Sequence, residues 1–348
     1  GPSPALAVQA SARGVSASAI LRGLGQDAPV TADLDLDAAV RGTIAEPVAE
    51  VALAAGSWQA YGERGESVSL RAEYGNDELR LMSLQVAKGA GALAASGWYN
   101  HRSGAYSLEV ESGNLELTGL ELPGGTSVRG VLALRASGDG TVDDPALGLE
   151  LAARNARVDG RDLGDLLVKG QVRNQRARLE LNAPALALAA TLHSGIRDPF
   201  PASFQFTAEG TDLSIAGLSM GENLPVTGRL SVQANGAGSL ADLTSGQAIV
   251  SISDLRLQAG GQEIRNAGPI EAEFRDRSLH VRQAALTTGD SRVSIAGRLP
   301  AERPEAAAGL RAEGEIQLAD VLRFAPDAAG LEASGRLRVN ARVAGTLQ

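Results

Sequence analysis

Several residue types that commonly build functional sites are rare or missing in this 348-residue sequence. It contains no cysteine, which excludes disulfide bonds, thiolate metal ligands and a cysteine nucleophile. Aromatic residues make up only 3% of the chain. The net charge of −9 argues against nucleic acid as a partner, because phosphate binding needs a basic face. No run of about 20 apolar residues occurs, so no membrane-spanning helix is predicted.

The sequence repeats with a period near 98 residues. The repeat is marked by a glycine followed by threonine or serine, at spacings of 98, 98 and 107 residues: Gly42, Gly140, Gly238 and Gly345. Aliphatic residues recur at fixed distances before each glycine. We therefore predict one continuous array, in which residues 1–23 are the tail of a preceding repeat and residues 1–3 the remnant of an expression tag. Repeats follow at 24–122, 123–220 and 221–326, and a further repeat starts at 327–348.

Apolar and polar residues alternate with a period of two, which predicts β-strands with one apolar and one polar face. In residues 30–38, Val30, the leucines and the alanines share one parity, whereas Thr31 and three aspartates share the other. Only short helical turns are expected, near 16–24 and 318–324, and turn-forming residues between the strands predict tight turns at 75–77, 124–125, 174–175 and 289–290. The predicted fold is all-β: a long, curved, mainly antiparallel sheet folded into an open apolar trough. A sandwich of two packed sheets is the alternative, but the repeats follow one another without linkers, which favours a single sheet.

Residues 268–274, 279–281 and 293–299, together with the motif Gly-x-Leu-x-Val/Leu-x-Ala that begins at Gly130, Gly228 and Gly335, resemble the TamB family. These proteins are AsmA-like, bridge-like lipid-transfer proteins, and the resemblance covers about residues 15–348. It implies a periplasmic segment that carries phospholipid between the inner and outer membranes, in a full-length protein anchored in the inner membrane. It also implies outer-membrane protein or autotransporter assembly with a TamA-like barrel, which this segment is not expected to bind itself.

Under this hypothesis, the apolar face shields phospholipid acyl chains and performs no catalysis. The aliphatic residues expected to line the lipid groove are Val30, Leu34, Leu36, Val128, Leu132, Leu134, Val226, Leu230, Val232, Leu337 and Val339. Neither a cofactor nor a metal is expected.

Two motifs resemble catalytic or cofactor-binding motifs but lack the structural context that those functions need. Gly217-Leu218-Ser219-Met220-Gly221 matches a nucleophile elbow, but Pro225 would stop the helix that this motif needs. Gly89-x-Gly91-x-x-Ala94 matches part of a dinucleotide fingerprint, without its strand–helix–strand context.

The candidate metal ligands are similarly weak. Asp33, Asp35 and Asp37 have the spacing of a calcium loop, but the glycine and glutamate that such a loop needs are absent, so a solvated strand face is expected. The three histidines lie singly, one in each repeat, which argues against zinc. Trp58 and Trp98 could belong either to the edge of the groove or to a core, and the sequence does not decide between these positions.

Two other functions remain open from the sequence. The first is an extracellular β-rich adhesin or autotransporter passenger array, although the rungs of a β-solenoid would be much shorter than this repeat. The second is a hydrolase on a β scaffold, which lacks a recognisable site.

Overall fold

The structure, a computed structural model, describes residues 5–23, 25–216, 219–220, 224–259, 261–301, 308–322 and 334–347. The described part is almost entirely β, which confirms the predicted fold class. Twenty-two strands belong to the main antiparallel sheet, and two form a separate small ladder. The chain divides into two units, Gly1–Leu179 and Glu180–Gln348. The proposed tag remnant at 1–3 lies outside the described residues. So do residues 24, 221, 326 and 327, which adjoin three of the predicted repeat boundaries.

The first unit contains the strands β1 (Ala5–Ser16), β2 (Val30–Thr43), β3 (Pro47–Ala60), β4 (Glu63–Gly65), β5 (Ser67–Gly75), β6 (Glu78–Lys88), β7 (Gly91–Asn100), β8 (Ala105–Glu121), β9 (Ser127–Thr141), β10 (Pro145–Val158) and β11 (Arg161–Arg173). Strand β12 (Arg176–Ala183) crosses the boundary between the units. The second unit contains β13 (Leu188–Gly195), β14 (Pro201–Asp212), β15 (Ser219–Met220), β16 (Leu224–Pro225), β17 (Thr227–Ser239), β18 (Gln247–Ala259), β19 (Gln262–Asn266), β20 (Ile270–Arg275), β21 (Ser278–Thr288), β22 (Ser291–Pro300), β23 (Gly309–Gln317) and β24 (Arg336–Val343).

In the first unit, each long strand pairs antiparallel with the strands before and after it in the chain. The short β4 pairs with the end of β3, and β5 continues the pairing with the rest of β3. The result is an up-and-down meander from β1 to β11, the order expected when no crossover helices are available.

The second unit repeats this plan. Strands β13, β14, β17 and β18 pair in succession, and β19 and β20 share the edge of β18. Both of these strands pair in turn with β21, and the meander continues through β22 and β23 to β24. The pair β15–β16 forms the separate ladder.

Tight turns occur at matching places in the three repeats. Two-residue loops with positive φ at both positions join β5 to β6 at Asn76-Asp77, β11 to β12 at Asn174-Gln175, and β20 to β21 at Asp276-Arg277. This backbone conformation suits a two-residue hairpin because its twist matches that of the flanking strands. The sequence predicted the first two of these turns from their residue types.

Short helical segments also occur where the sequence predicted them. Helix α1 (Ala17–Gly23) follows β1, and α2 (Leu318–Leu322) follows β23. Ala17 of α1 packs with Leu34 and Ala55 in a small buried cluster at one end of the first unit. Short 3-10 turns lie at Pro184–Leu186, Leu213–Ala216 and Leu243–Ser245.

Candidate functional site

One face of the sheet in the first unit carries rows of aliphatic residues that run across the strands. Residues paired directly opposite each other on neighbouring strands point to the same face. A row defined in this way, which we call the central row, crosses ten strands and contains only aliphatic residues and glycine: Ala12, Leu36, Leu53, Leu70, Leu84, Ala95, Val110, Ala136, Leu149 and Gly170.

Parallel rows on either side of the central row continue this apolar face. One of these rows lies nearer the end of the strands at which α1 packs, and we call it the enclosed row. It contains Val15, Leu34, Ala55, Val68, Val86, Leu93, Ser112, Leu134, Leu151 and Val168. A row on the other side contains Ala10, Ala38, Val51, Ala72, Leu81, Gly97, Leu108, Gly138, Leu147 and Val172. Ser112 is the single polar residue in these three rows.

A fourth row lies closest to the hairpin turns at the opposite end of the strands. We call it the tyrosine row, and it contains Val8, Val40, Ala49, Tyr74, Leu79, Tyr99, Tyr106, Gly140 and Pro145. Three of the four tyrosines in the sequence therefore lie in one row. The ring of Tyr74 also stacks on His101, with 6.1 Å between the ring centres.

Exposure increases along the strands from the enclosed row to the tyrosine row. Leu34 is 8% exposed, whereas Val8 and Leu79 are each 51% exposed. The central row lies between these extremes and is mostly half-buried. The apolar face is thus closed at one end of the strands and open at the other.

No second sheet covers this face in the part of the first unit that the structure describes. The principal packing contacts of its long strands are with their hydrogen-bonded neighbours. Among the residues whose side-chain burial the structure describes, Leu34, Val226 and Val232 are the only buried aliphatic ones larger than alanine. A packed two-layer core would bury many more. The sandwich interpretation therefore finds no support in this unit.

The opposite face of the same strands is polar. Residues one position along from the central row include Asp35, Ser69 and Gln85. Farther across the sheet, Arg135 contacts Glu111 at 2.7 Å and Lys169 contacts Glu150 at 3.3 Å, so that charges alternate on adjacent strands. This polar face is accessible to solvent, as the aspartates of β2 predicted.

A buried ion pair lies at the closed end of the apolar face. Lys88, the last residue of β6, contacts the carboxylate of Glu63 on β4, and the two residues are 8% and 3% exposed. The backbone N–H groups of Thr118 and Gly119 donate to Glu63 Oε1 at 2.8 and 2.7 Å. The Thr118 hydroxyl donates to Oε2 at 3.0 Å. Glu63 therefore joins β4 to β8, although these two strands are not hydrogen-bonded neighbours in the sheet.

Burial of its ammonium group lowers the pKa of Lys88, and the negative charge of Glu116 opposes this effect. This ion pair was not predicted from the sequence. A signal existed, because Lys88 follows Leu84 and Val86 at the parity of the apolar face, where a charged residue is out of place.

The second unit has an apolar face of the same kind. One row crosses nine strands and contains Ala190, Phe206, Ala234, Val250, Ala272, Val281, Gly297, Leu310 and Val343. A neighbouring row contains Leu192, Phe204, Gly236, Ala248, Phe274, Leu279 and Leu299. The aromatic residues on this face are phenylalanines, in contrast to the tyrosines of the first unit.

At the end of this second face, a polar contact takes the place of the ion pair. The Ser291 hydroxyl donates to Asp320 Oδ2 at 2.6 Å, and the Gln317 N–H donates to the Ser291 oxygen at 2.8 Å. Ser291, the first residue of β22, thereby contacts both α2 and the last residue of β23.

The predicted lining residues that lie in strands have the parity of these apolar faces, and Val226 lies just before β17, but their exposure differs. Leu34, Val226 and Val232 are buried, and Leu337 is 48% exposed. Leu337 lies on β24, which pairs only with β23 in the described part of the chain. The remaining predicted residues are half-buried: Val30, Leu36, Val128, Leu132, Leu134, Leu230 and Val339. Their contact with lipid stays a prediction.

The two tryptophans occupy different environments. Trp58 lies opposite Ala32 and Gly65, and its ring lies so close to Gly65 that a Cβ there would clash with it. Trp98 lies opposite Arg80 and Ser107, which places it on the polar face.

The other candidate motifs gain no support. In the described residues, no group of three or more histidines, aspartates and glutamates could hold a metal ion. Gly217, Leu218 and Gly221 of the nucleophile-elbow motif lie outside the described residues. Asp35 and Asp37 instead contact β1, through the Gly14 N–H at 3.1 Å and Arg13 at 3.0 Å. None of the helices that the structure describes has the length and hydropathy required to cross a membrane.

Comparison with known proteins identifies no relative: no family model, curated protein or solved structure matches the chain.

Proposed function

We propose that this chain is the periplasmic segment of a lipid-transfer protein of the TamB type, in which the apolar face curls into a trough that holds phospholipid acyl chains. The observation that carries the proposal is the central row. Ten consecutive strands present only aliphatic residues and glycine at this position, and no second layer packs against them in the described part.

The energetics of lipid transfer suit such a surface. Removing an acyl chain of about 15 methylene groups from water contributes roughly 12 kcal/mol, at ~0.8 kcal/mol for each methylene. A lipid therefore crosses an aqueous space slowly unless its chains stay covered. Equivalent aliphatic contacts on successive strands would let a lipid move along a row while exchanging one contact for a similar one.

The chemistry of the rows also favours movement over tight binding. Hydrogen-bonding groups in the path would hold a lipid at one place, and the three rows nearest the closed end contain only Ser112 as a polar residue. By contrast, the polar face carries charge pairs and suits contact with water. Location in the periplasm, an inner-membrane anchor and assembly with an outer-membrane barrel belong to the same proposal, through the resemblance to the TamB family.

The test is to purify the chain from a bacterial envelope and to identify what it carries. Native mass spectrometry and phosphate analysis of a chloroform–methanol extract should show phospholipid bound to the folded protein. A soluble protein of similar mass, prepared in the same way, gives the background. Lipid at the background level would contradict the proposal, and binding of cell-surface carbohydrate instead would favour an adhesin.

A further inference from the structure

The tyrosine row differs from the other rows of the first unit in both exposure and chemistry. Its members Tyr74, Tyr99 and Tyr106 lie at the open end of the apolar face, where Tyr74 is 42% and Tyr99 is 40% exposed. Tyrosine combines an apolar ring with a polar hydroxyl, and it suits a boundary at which one side is apolar and the other wet. A phospholipid has such a boundary between its acyl chains and its head group.

The Tyr106 hydroxyl adds a second observation. It is shielded from solvent and makes no hydrogen bond within the described part of the chain. A shielded donor without an acceptor is unfavourable, because burial removes its water without replacing the hydrogen bond. An ester or phosphate oxygen of a lipid would supply the missing acceptor.

The turns next to the tyrosine row are acidic. The connecting residues 44–46, 76–77, 101–104, 142–144 and 174–175 contain the carboxylates Glu46, Asp77, Asp143 and Asp144 but only one arginine, Arg102. Arg102 is paired with Asp77 at 2.6 Å. With the residues that flank these turns, Glu78, Arg173 and Arg176, five acidic and three basic groups give a formal charge of −2, with the histidine neutral. This charge repels an anionic head group and attracts an ammonium group, which also interacts favourably with the faces of aromatic rings.

We infer that a phospholipid on the first unit lies with its head group at the tyrosine row and its acyl ends toward the enclosed row, and that this edge favours head groups bearing an ammonium group over anionic ones. This inference rests on the proposed function, because it assigns an orientation and a head-group class to the lipid on the same apolar face.

Orientation is tested with two photoreactive phosphatidylethanolamines, one with a diazirine on the head group and one with a diazirine at the acyl terminus. After irradiation and digestion, the head-group probe should label peptides around Tyr99 and Tyr106, and the acyl probe peptides around Leu34 and Leu134. The reverse pattern, or the same peptides with both probes, would overturn the inference while leaving the proposed function standing. Absence of labelling on the apolar face with either probe would contradict the proposed function itself.

Head-group selectivity is tested with vesicles of equimolar phosphatidylethanolamine and phosphatidylglycerol. The bound lipid should be enriched in phosphatidylethanolamine by roughly threefold or more, in proportion to a few partly screened charges. The double variant Asp143→Asn/Asp144→Asn should reduce this enrichment, since the amides preserve the turn and remove the charge. The control Asp33→Asn/Glu109→Gln removes two charges from the polar face and should leave the enrichment unchanged. Equal uptake of both lipids, or equal effects of the two double variants, would overturn the selectivity.

The role of the Tyr106 hydroxyl is tested by Tyr106→Phe, which keeps the ring and removes the donor. Labelling of the surrounding peptides by the head-group probe should fall, while labelling around Leu34 by the acyl probe should persist. Unchanged labelling by the head-group probe would show that this hydroxyl does not contact the lipid.

Discussion

Ser69 and Leu70 are neighbours on β5 whose side chains leave opposite faces of the sheet. Leu70 lies between Leu53 and Leu84 in the central row, whereas Ser69 lies between Ala54 and Gln85 on the polar face. The two positions differ by one residue along the chain and share the same backbone pairing. Substitutions at these two positions therefore compare the apolar face with the polar face within the same strand.

A carboxylate at each position should separate the two faces. Leu70→Asp places an uncompensated charge in the central row, where apolar contacts with acyl chains are proposed. Lipid bound to the purified protein should fall about fivefold or more, which corresponds to ~1 kcal/mol. Ser69→Asp should leave the bound lipid unchanged. Phosphate analysis measures both, with circular dichroism to establish that each variant is folded. Equal lipid in the two folded variants would contradict a lipid-binding role for the central row.

The buried ion pair should stabilise the junction between β4 and β8. Lys88→Met leaves the Glu63 carboxylate buried without its cation, and breaking a buried pair in this way costs about 3–5 kcal/mol. Amide hydrogen exchange of Thr118 and Gly119, whose N–H groups donate to Glu63, should accelerate strongly. The double variant Glu63→Gln/Lys88→Met should recover part of the protection, because no charge is then left unpaired.

An exposed ion pair supplies the control for that experiment. Arg135→Met removes the partner of Glu111 on the polar face, where solvent screening leaves an exposed pair with little effect on stability. Exchange near Arg135 should change little. Similar acceleration at the two sites would show that the contact between β4 and β8 does not depend on the buried ion pair.

Gly228 should tolerate no side chain. Its φ is +144°, and a Cβ there would overlap the carbonyl oxygen of Arg256 on β18. Gly228→Ala should lower the free energy of unfolding of the surrounding strands by about 2 kcal/mol or more. Gly113→Ala is the matched control, because a Cβ at Gly113 meets no atom within 4 Å and should change stability by less than about 0.5 kcal/mol. Limited proteolysis in urea measures both, and equal resistance would show that the β17–β18 pairing accommodates a side chain at Gly228.

The strands and their apolar faces could be predicted because both follow from local alternation. Thr31 and the aspartates of β2 lie on one face and its leucines on the other, as their parity requires. The positions of the helical segments and of the Asn76 and Asn174 turns also follow from local residue types.

The rows themselves could not be predicted from repeat equivalence. Leu36 and Leu134 are equivalent in the repeat, yet the structure places Leu36 in the central row and Leu134 in the enclosed row. Bulges shift the register, for example between Ser112 and Leu115 on β8. Their positions depend on how several strands fit together, as does the pairing of Glu63 with Lys88, which are 25 residues apart.

The most direct test of the central claim is photo-crosslinking at two adjacent positions of β2. A benzoylphenylalanine residue replaces either Leu36 in the central row or Asp37 on the polar face, in protein produced in the periplasm of a bacterial host. After irradiation, mass spectrometry should detect a phospholipid adduct at position 36 and none at position 37. Adducts of equal yield at both positions, or no phospholipid adduct at position 36, would contradict the account.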